Sequence, residues 1–183
     1  MELEETIRTR RSIRKFSDKP VEREKIIACL EAARLAPSAC NSQSWHYIII
    51  DDPKVKAKFS AEVFSGMYKL SQWAAAAPIL VAIVSDRGNF ISRIGNYFRH
   101  TEFYLVDQGI TGEHFVLRAH DLGLGTCWIG WFNSEKAKKF FKLPEGKKAE
   151  HLIAVGYPAI DAENDRPHPR KPLEEIVSYN KYK

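Results

Sequence analysis

Three arginines fall within five residues at Arg10-Arg11-Ser12-Ile13-Arg14. Guanidinium forks with a hydroxyl between them suit a phosphate at one end and an electron-rich ring edge at the other. Spacing alone favours an exposed basic turn, because basic runs of this length are common. A second candidate is the polar loop Pro37-Ser38-Ala39-Cys40-Asn41-Ser42-Gln43-Ser44-Trp45. Ser38 and Asn41 could bond the polar chain or ring edge of a ligand, and Ser and Asx turns at a helix end account for most of the same residues. The third is Gly123-Leu124-Gly125-Thr126-Cys127-Trp128-Ile129-Gly130-Trp131. Gly130 would let a flat ring approach the backbone closely. A buried extended segment with two large anchors is the alternative.

Signatures of other chemistry are missing. The sequence has no G-x-x-x-x-G-K-[ST], no H-E-x-x-H and no G-x-S-x-G, and Gly123-Leu124-Gly125 follows a helix and lacks a third glycine. His114 and His120 are six apart, off a shared helix face, so no metal site is expected. Cys29, Cys40 and Cys127 have no ligand spacing and read as reduced thiols. That leaves chemistry carried by a cofactor, or no catalysis. Flavin mononucleotide makes demands that the three segments can meet. Its phosphate needs cations and N–H donors, its ribityl chain needs polar partners, and its N1 and C2-oxygen edge gains negative charge on reduction. Its N5 edge wants a backbone N–H.

The elements that must position these residues are legible in part. Glu2 to Arg10 and Glu22 to Leu35 read as helices, the second with Ile26, Leu30 and Ala33 on one face. His46 to Ile50, Ile79 to Val84, Gly125 to Trp131 and His151 to Tyr157 read as strands. Asp52-Pro53 opens a helix, with proline at its first position. Thr101 to Leu122 is the longest helix and is closed by Gly123. Gly109 and Gly112 on one face of it imply close packing, by a facing helix or a flat ligand. Asn133 or Ser134 caps a lysine-rich helix whose Phe140 and Phe141 form a buried edge. Arg87 to Arg99 is loop or short helix. The alternation of helices and strands suggests a parallel doubly wound sheet. The formal net charge of +5 suits an anionic cofactor better than nucleic acid. No stretch is long enough to span a membrane and the first residues are no signal peptide, so a cytoplasmic protein with no membrane or nucleic-acid partner is expected.

Taken together and in this order, the segments resemble the nitroreductase family. Its R-[RH]-S-x-[RK] motif matches Arg10 to Arg14, and its P-S-x-x-N-x-Q-P-W loop matches at Pro37, Ser38, Asn41, Gln43 and Trp45. Its G-L-G-[ST]-C-W-I-G segment matches Gly123 to Gly130. Its closing G-Y-P and R-K-P match Gly156-Tyr157-Pro158 and Arg170-Lys171-Pro172. The resemblance spans Thr6 to Val177. It implies an α+β fold with a mostly antiparallel central sheet flanked by helices, in place of the doubly wound sheet. It also implies one domain over residues 1–183, in an intertwined homodimer with residues 161–183 as an arm on the partner subunit.

The resemblance further implies FMN as cofactor, NADH or NADPH as reductant, and hydride transfer to small acceptors such as nitroaromatics or quinones, with the two ligands sharing one site in ping-pong order. Arg10 and Arg170 would hold the phosphate with His168 or Lys171, Ser12 the ribityl side and Arg14 the N1 edge. Arg11 joins this set through the motif. The amide of Gly130 or its neighbour Ile129 would reach N5, and Pro37, Ser38 and Asn41 would come from the other subunit. Phe103, Tyr104 and Trp131 are candidates for the pocket wall, or else ordinary core or dimer packing. Enone reduction, dehalogenation, flavin breakdown and a regulatory dimer without turnover are further possibilities on this scaffold. Ser44 replaces the usual proline and Ala39 a common serine, both of which loosen the loop on paper. The short chain leaves little for a substrate-covering lid.

Overall fold

Strand β2, Ile79–Ser85, is buried at all seven positions, and its two faces organise the fold. Alternate residues of a strand point to opposite sides. Leu80, Ala82 and Val84 join one core cluster, and Ile79, Val81 and Ile83 join the other. A strand packed on both faces must lie between layers, so its run of apolar residues follows from position. The computed structural model describes residues 1–86, 101–160 and 169–182. Arg87 to Arg99 and His168 lie outside them, as does most of the connection ahead of Pro172.

Helix α1 is Leu3–Thr9 and α2 is Arg23–Arg34; β1 is Trp45–Ile50 and α3 is Pro53–Val63. A 3-10 segment, Gly66–Ala76, leads into β2. Then come α4 (Phe103–Asp121), β3 (Gly125–Ile129), α5 (Ser134–Phe140), β4 (Lys148–Gly156) and α6 (Leu173–Ile176). The sheet order is β1-β2-β4-β3, with every neighbouring pair antiparallel.

The doubly wound parallel arrangement suggested by the alternation is therefore wrong, and the antiparallel sheet implied by the family resemblance is the one formed. The reason lies in two connections. Between β1 and β2 the chain runs through α3 and returns through the 3-10 segment, two legs rather than one, so it re-enters antiparallel. Strands β2 and β3 do run parallel, joined by α4, but β4 slots between them antiparallel to both.

Helices α3 and α5 cover one face, where Phe59 meets Phe140 and Phe141 at ring-centroid distances of 5.3 and 4.9 Å. Helices α2 and α4 cover the other with Ile26, Cys29, Ala33, Phe115, Val116 and Ala119. Leu30, expected on the buried face of α2, is only partly covered. Local signals set the ends of these elements. Asp52 caps α3 by accepting from the Val55 N–H at 2.8 Å, and Asn133 caps α5 by accepting from Lys136 N–H at 2.9 Å. Gly123, at φ +78°, ends α4 in a Schellman turn. Its N–H donates to His120 O and Leu124 N–H to Ala119 O, both at 2.9 Å.

The two helix glycines behave differently. A Cβ on Gly112 would overlap the Trp128 indole and crowd Ile83. Strand β3, and not a facing helix or a flat ligand, therefore demands that glycine. A Cβ on Gly109 would meet nothing within 4 Å.

Candidate functional site

The basic run lies along β3. Ser12 pairs with Thr126 as a parallel bridge, and Ile13 N–H donates to Thr126 O at 2.9 Å. Gly125 makes this approach possible, because a Cβ there would lie 2.8 Å from Ile13 Cγ1. Downstream, Phe16 bridges to Pro158 and Ser17 N–H donates to Tyr157 O at 2.9 Å. In an extended chain residues 10, 12 and 14 share one face, and 11 and 13 the other.

The first face meets Cys127. Burial pushes the Cys127 thiol up, while Arg14, the Ser12 hydroxyl and Arg10 pull it down. The first and third sequence segments thus converge within one subunit. Arg10 Nε sits 3.5 Å from Glu113 Oε1, and the Arg14 guanidinium lies 5.9 Å from the centroid of the Trp73 ring. At the end of β3, Gly130 is exposed, and the space a Cβ would take is open. The Ile129 side chain beside it is buried.

Arg11 lies apart from that face. Its Nη1 donates to the carbonyls of Arg8 and Arg10 at 2.9 and 3.0 Å, at the end of α1. It lines a cavity of about 280 Å³ with Ile13, His120 and Leu124. His120 is held below the usual imidazole range by burial and then by Arg10 and Arg11.

The second segment forms a tight loop over α4. Cys40, Asn41 and Gln43 take φ values of 52°, 50° and 45°, a left-handed conformation rare for side-chain-bearing residues. Asp107, only 3% exposed, faces the loop from α4. Its Oδ1 accepts from Ala39 N–H at 2.9 Å, and its Oδ2 accepts from the Ser42 and Ser44 hydroxyls at 3.2 and 3.0 Å. Ser38 Oγ accepts from Gln43 N–H at 3.0 Å, and Asn41 Oδ1 from Gln43 Nε2 at 3.3 Å. Pro37 and Asn41 are exposed. Among the described residues no hydrogen bond or ion pair ties this loop to Arg10, Ser12 or Arg14.

Trp131 follows Gly130 and is 48% exposed, its Nε1 donating to Met67 O at 3.0 Å and its ring 5.2 Å from that of Tyr68. Phe103 and Tyr104 stand half-buried in the first turn of α4, with the Tyr104 hydroxyl donating to Glu102 at 2.9 Å. Arg170 and Lys171 are exposed just before α6. Sequence reasoning missed two contributors. The 3-10 segment brings Met67, Tyr68 and Trp73 beside the site, and its only signal was two aromatics ahead of a strand. Asp107 was detectable as an acid on the apolar face of a helix.

Among the described residues no group of acids, histidines and cysteines could hold a metal ion, and no helix is long and apolar enough to cross a membrane. Residues 7–157 match the family model for the nitroreductase family. The chain belongs to the nitroreductase family. Membership places it among oxidoreductases.

A protein of Methanothermobacter thermautotrophicus, provisionally named an NADH dehydrogenase/NAD(P)H nitroreductase, is 31% identical over 87% of this chain and 78% of the relative. A Staphylococcus haemolyticus protein named an NADPH-dependent oxidoreductase is 30% identical over 93% of this chain and 70% of its own. A crystal structure of a nitroreductase family protein from Clostridium difficile 630 superposes with a TM-score of 0.78 at 27% identity, over the whole of both chains. The departure at Ser44 does not leave the chain with a slack loop. Ser44 is 1% exposed and its hydroxyl is bound to Asp107, a bond proline could not make.

Proposed function

We propose that this nitroreductase binds FMN at the interface of a homodimer and transfers hydride from NADH or NADPH to small oxidised acceptors such as nitroaromatics or quinones. One observation carries the reading: Arg10, Ser12 and Arg14 share a face beside Cys127, with the open backbone of Gly130 at the end of the same strand. The donor set fits the group. It offers two guanidinium forks, a hydroxyl and an uncovered backbone edge.

FMN held there would supply two-electron chemistry linking the nicotinamide and the acceptor. Arg10 would hold the phosphate, assisted by Arg170 and Lys171, and by His168 beyond the described residues. Ser12 would bond the ribityl chain. Arg14 would face the N1 and C2-oxygen edge, where a fixed cation stabilises developing negative charge without reorganising. The amide of Gly130, or that of Ile129, would donate to the N5 edge. Pro37, Ser38 and Asn41 would reach the cofactor held by the partner subunit. Trp131, with Phe103 and Tyr104, would wall the pocket that reductant and acceptor enter in turn, which gives ping-pong kinetics.

The homodimer is supported by apolar side chains left uncovered in the C-terminal segment. Leu173, Ile176, Tyr179 and Tyr182 are 68, 64, 85 and 98% exposed. Side chains of this size in one stretch need a cover, and residues 161–183 as an arm on the partner would provide it. The three unpaired thiols suit a reducing compartment such as the cytoplasm.

The test is the visible absorption spectrum of the purified protein loaded with FMN, before and after anaerobic NADH or NADPH, with the elution volume of the complex. A flavin spectrum that bleaches on a dimeric species is expected. A protein that takes up no FMN, or a fully loaded one that neither nucleotide reduces, overturns the reading.

A further inference from the structure

Helix α4 holds the chain on either side of the left-handed loop at separate places. Thr111 donates to Ala33 O at 2.8 Å, at the end of α2, and shares a 3.0 Å hydrogen bond with the Tyr47 hydroxyl on β1. His114 Nδ1 lies 3.2 Å from Ala32 O. One turn earlier on the same helix, Asp107 reaches only the loop: Ala39, Ser42 and Ser44. The flanks are therefore secured without Asp107. The loop, with three non-glycine residues at positive φ within four positions, is tied to α4 through Asp107. Unfavourable backbone geometry persists only where surrounding contacts over-determine it, and it concentrates where geometry matters for function.

We propose that Asp107 is a positioning residue: its buried carboxylate fixes residues 38–44 in the shape from which Pro37, Ser38 and Asn41 meet the cofactor. The inference rests on the FMN reading above. It adds that the loop half of the site is pre-formed from α4, in place of the stiffness that the missing proline would give. A pre-formed loop binds more tightly because it is not ordered on binding.

The experiment uses full-length dimeric protein and four variants: Asp107→Ala, Asp107→Asn, Thr111→Val and Ser44→Ala. For each, the FMN dissociation constant is taken from flavin fluorescence, the environment of the ring from visible circular dichroism, and Tm from the FMN-free protein. Asp107→Ala is expected to weaken FMN binding about tenfold or more and to change the visible dichroism. Asp107→Asn keeps an acceptor for Ala39 N–H, and its NH2 meets serine hydroxyls that can turn to accept it. It should restore affinity to within about threefold. Ser44→Ala, which removes one of the three donors and leaves α4 intact, is expected to fall between. Thr111→Val, also buried on α4, should lower Tm with affinity unchanged. The proposal is overturned if Asp107→Ala binds like the natural protein, or if Thr111→Val loses affinity in step with it. Should Asp107→Ala not fold, natural affinity and dichroism in Ser44→Ala overturn it. Failure of the natural protein to bind FMN is a different result, which removes the cofactor reading itself.

Discussion

Replacing the two glycines of α4 by alanine, one at a time, should move stability in opposite directions. At Gly109 a Cβ enters open space. The substitution then removes the backbone entropy that glycine loses in a helix, and α4 gains about 1 kcal/mol. At Gly112 the same gain is set against the Trp128 indole, which would have to move. It has little room: Ile83 lies on the same side, and His151 packs edge-on at 5.6 Å. Overpacking of this kind costs about 1–3 kcal/mol, occasionally more. The overlap involves two ring atoms and no flexible chain end, which puts the cost at the upper end. The net loss is about 2 kcal/mol, so the two variants should differ by about 3 kcal/mol. At about 2–4 °C per kcal/mol for a chain of this size, that separates their Tm values by about 6–12 °C. Thermal and urea denaturation of the FMN-free protein would measure both. Gly112→Ala as stable as the natural protein would refute the packing argument. Gly109→Ala less stable, with loss of the proposed dimer, would place a partner subunit's surface against that residue.

If FMN binds as proposed, then with flavin saturating Arg14→Ala should slow reduction by NADH about a hundredfold, because the proposed role of Arg14 is to face the charge that develops on the ring; stopped-flow bleaching rates equal to the natural protein would exclude that role. A thiol reagent at pH 8 should label Cys40 first and Cys29 last. Cys40 is exposed, whereas burial pushes the Cys29 thiol up to about 12; mass spectrometry of partly labelled protein decides the order. Stability should also fall at alkaline pH. The folded values of Cys29 and Tyr47 are both raised to about 12 by burial, from ordinary values of 9.0 and 10.0. Raised acids contribute stability in full below the unfolded value and lose it as pH climbs towards the folded one. The decline should therefore begin near pH 9 and continue to about pH 12, and Cys29→Ala should flatten its early part in urea titrations. An unchanged slope would show that Cys29 ionises as freely folded as unfolded.

Local signals in the sequence carried the element ends and missed the partners of individual side chains. Asp52-Pro53 and Gly123 act through their own backbone neighbours, so their roles could be read directly. The pairing of β4 with β2 joins residues more than sixty positions apart, and periodicity does not encode strand order. Strand β4 also begins at Lys148, earlier than its apolar run, because Lys148 and Ala149 pair with Ser85 and Val84 of β2. The arginine run shows the same limit within the site. Its type and spacing pointed to an anion. Only the bridge to β3 separates Arg10 and Arg14 from Arg11, which turns back to the end of α1. Ser44 was misjudged because proline's stiffness is visible in a sequence and the carboxylate of Asp107, sixty-three residues away, is not.

The late insertion of β4 bears on how the chain is made. Until residues 148–156 have been synthesised, β2 and β3 each lack the neighbour that completes their hydrogen bonding. A nascent chain would carry its most apolar strand with one side open from the completion of Ser85 until Gly156 has been added. Unpaired edges of that kind pair readily with other chains. Premature termination ahead of Lys148 should therefore yield insoluble fragments and not a smaller folded unit, and folding should finish only as the last strand leaves the ribosome.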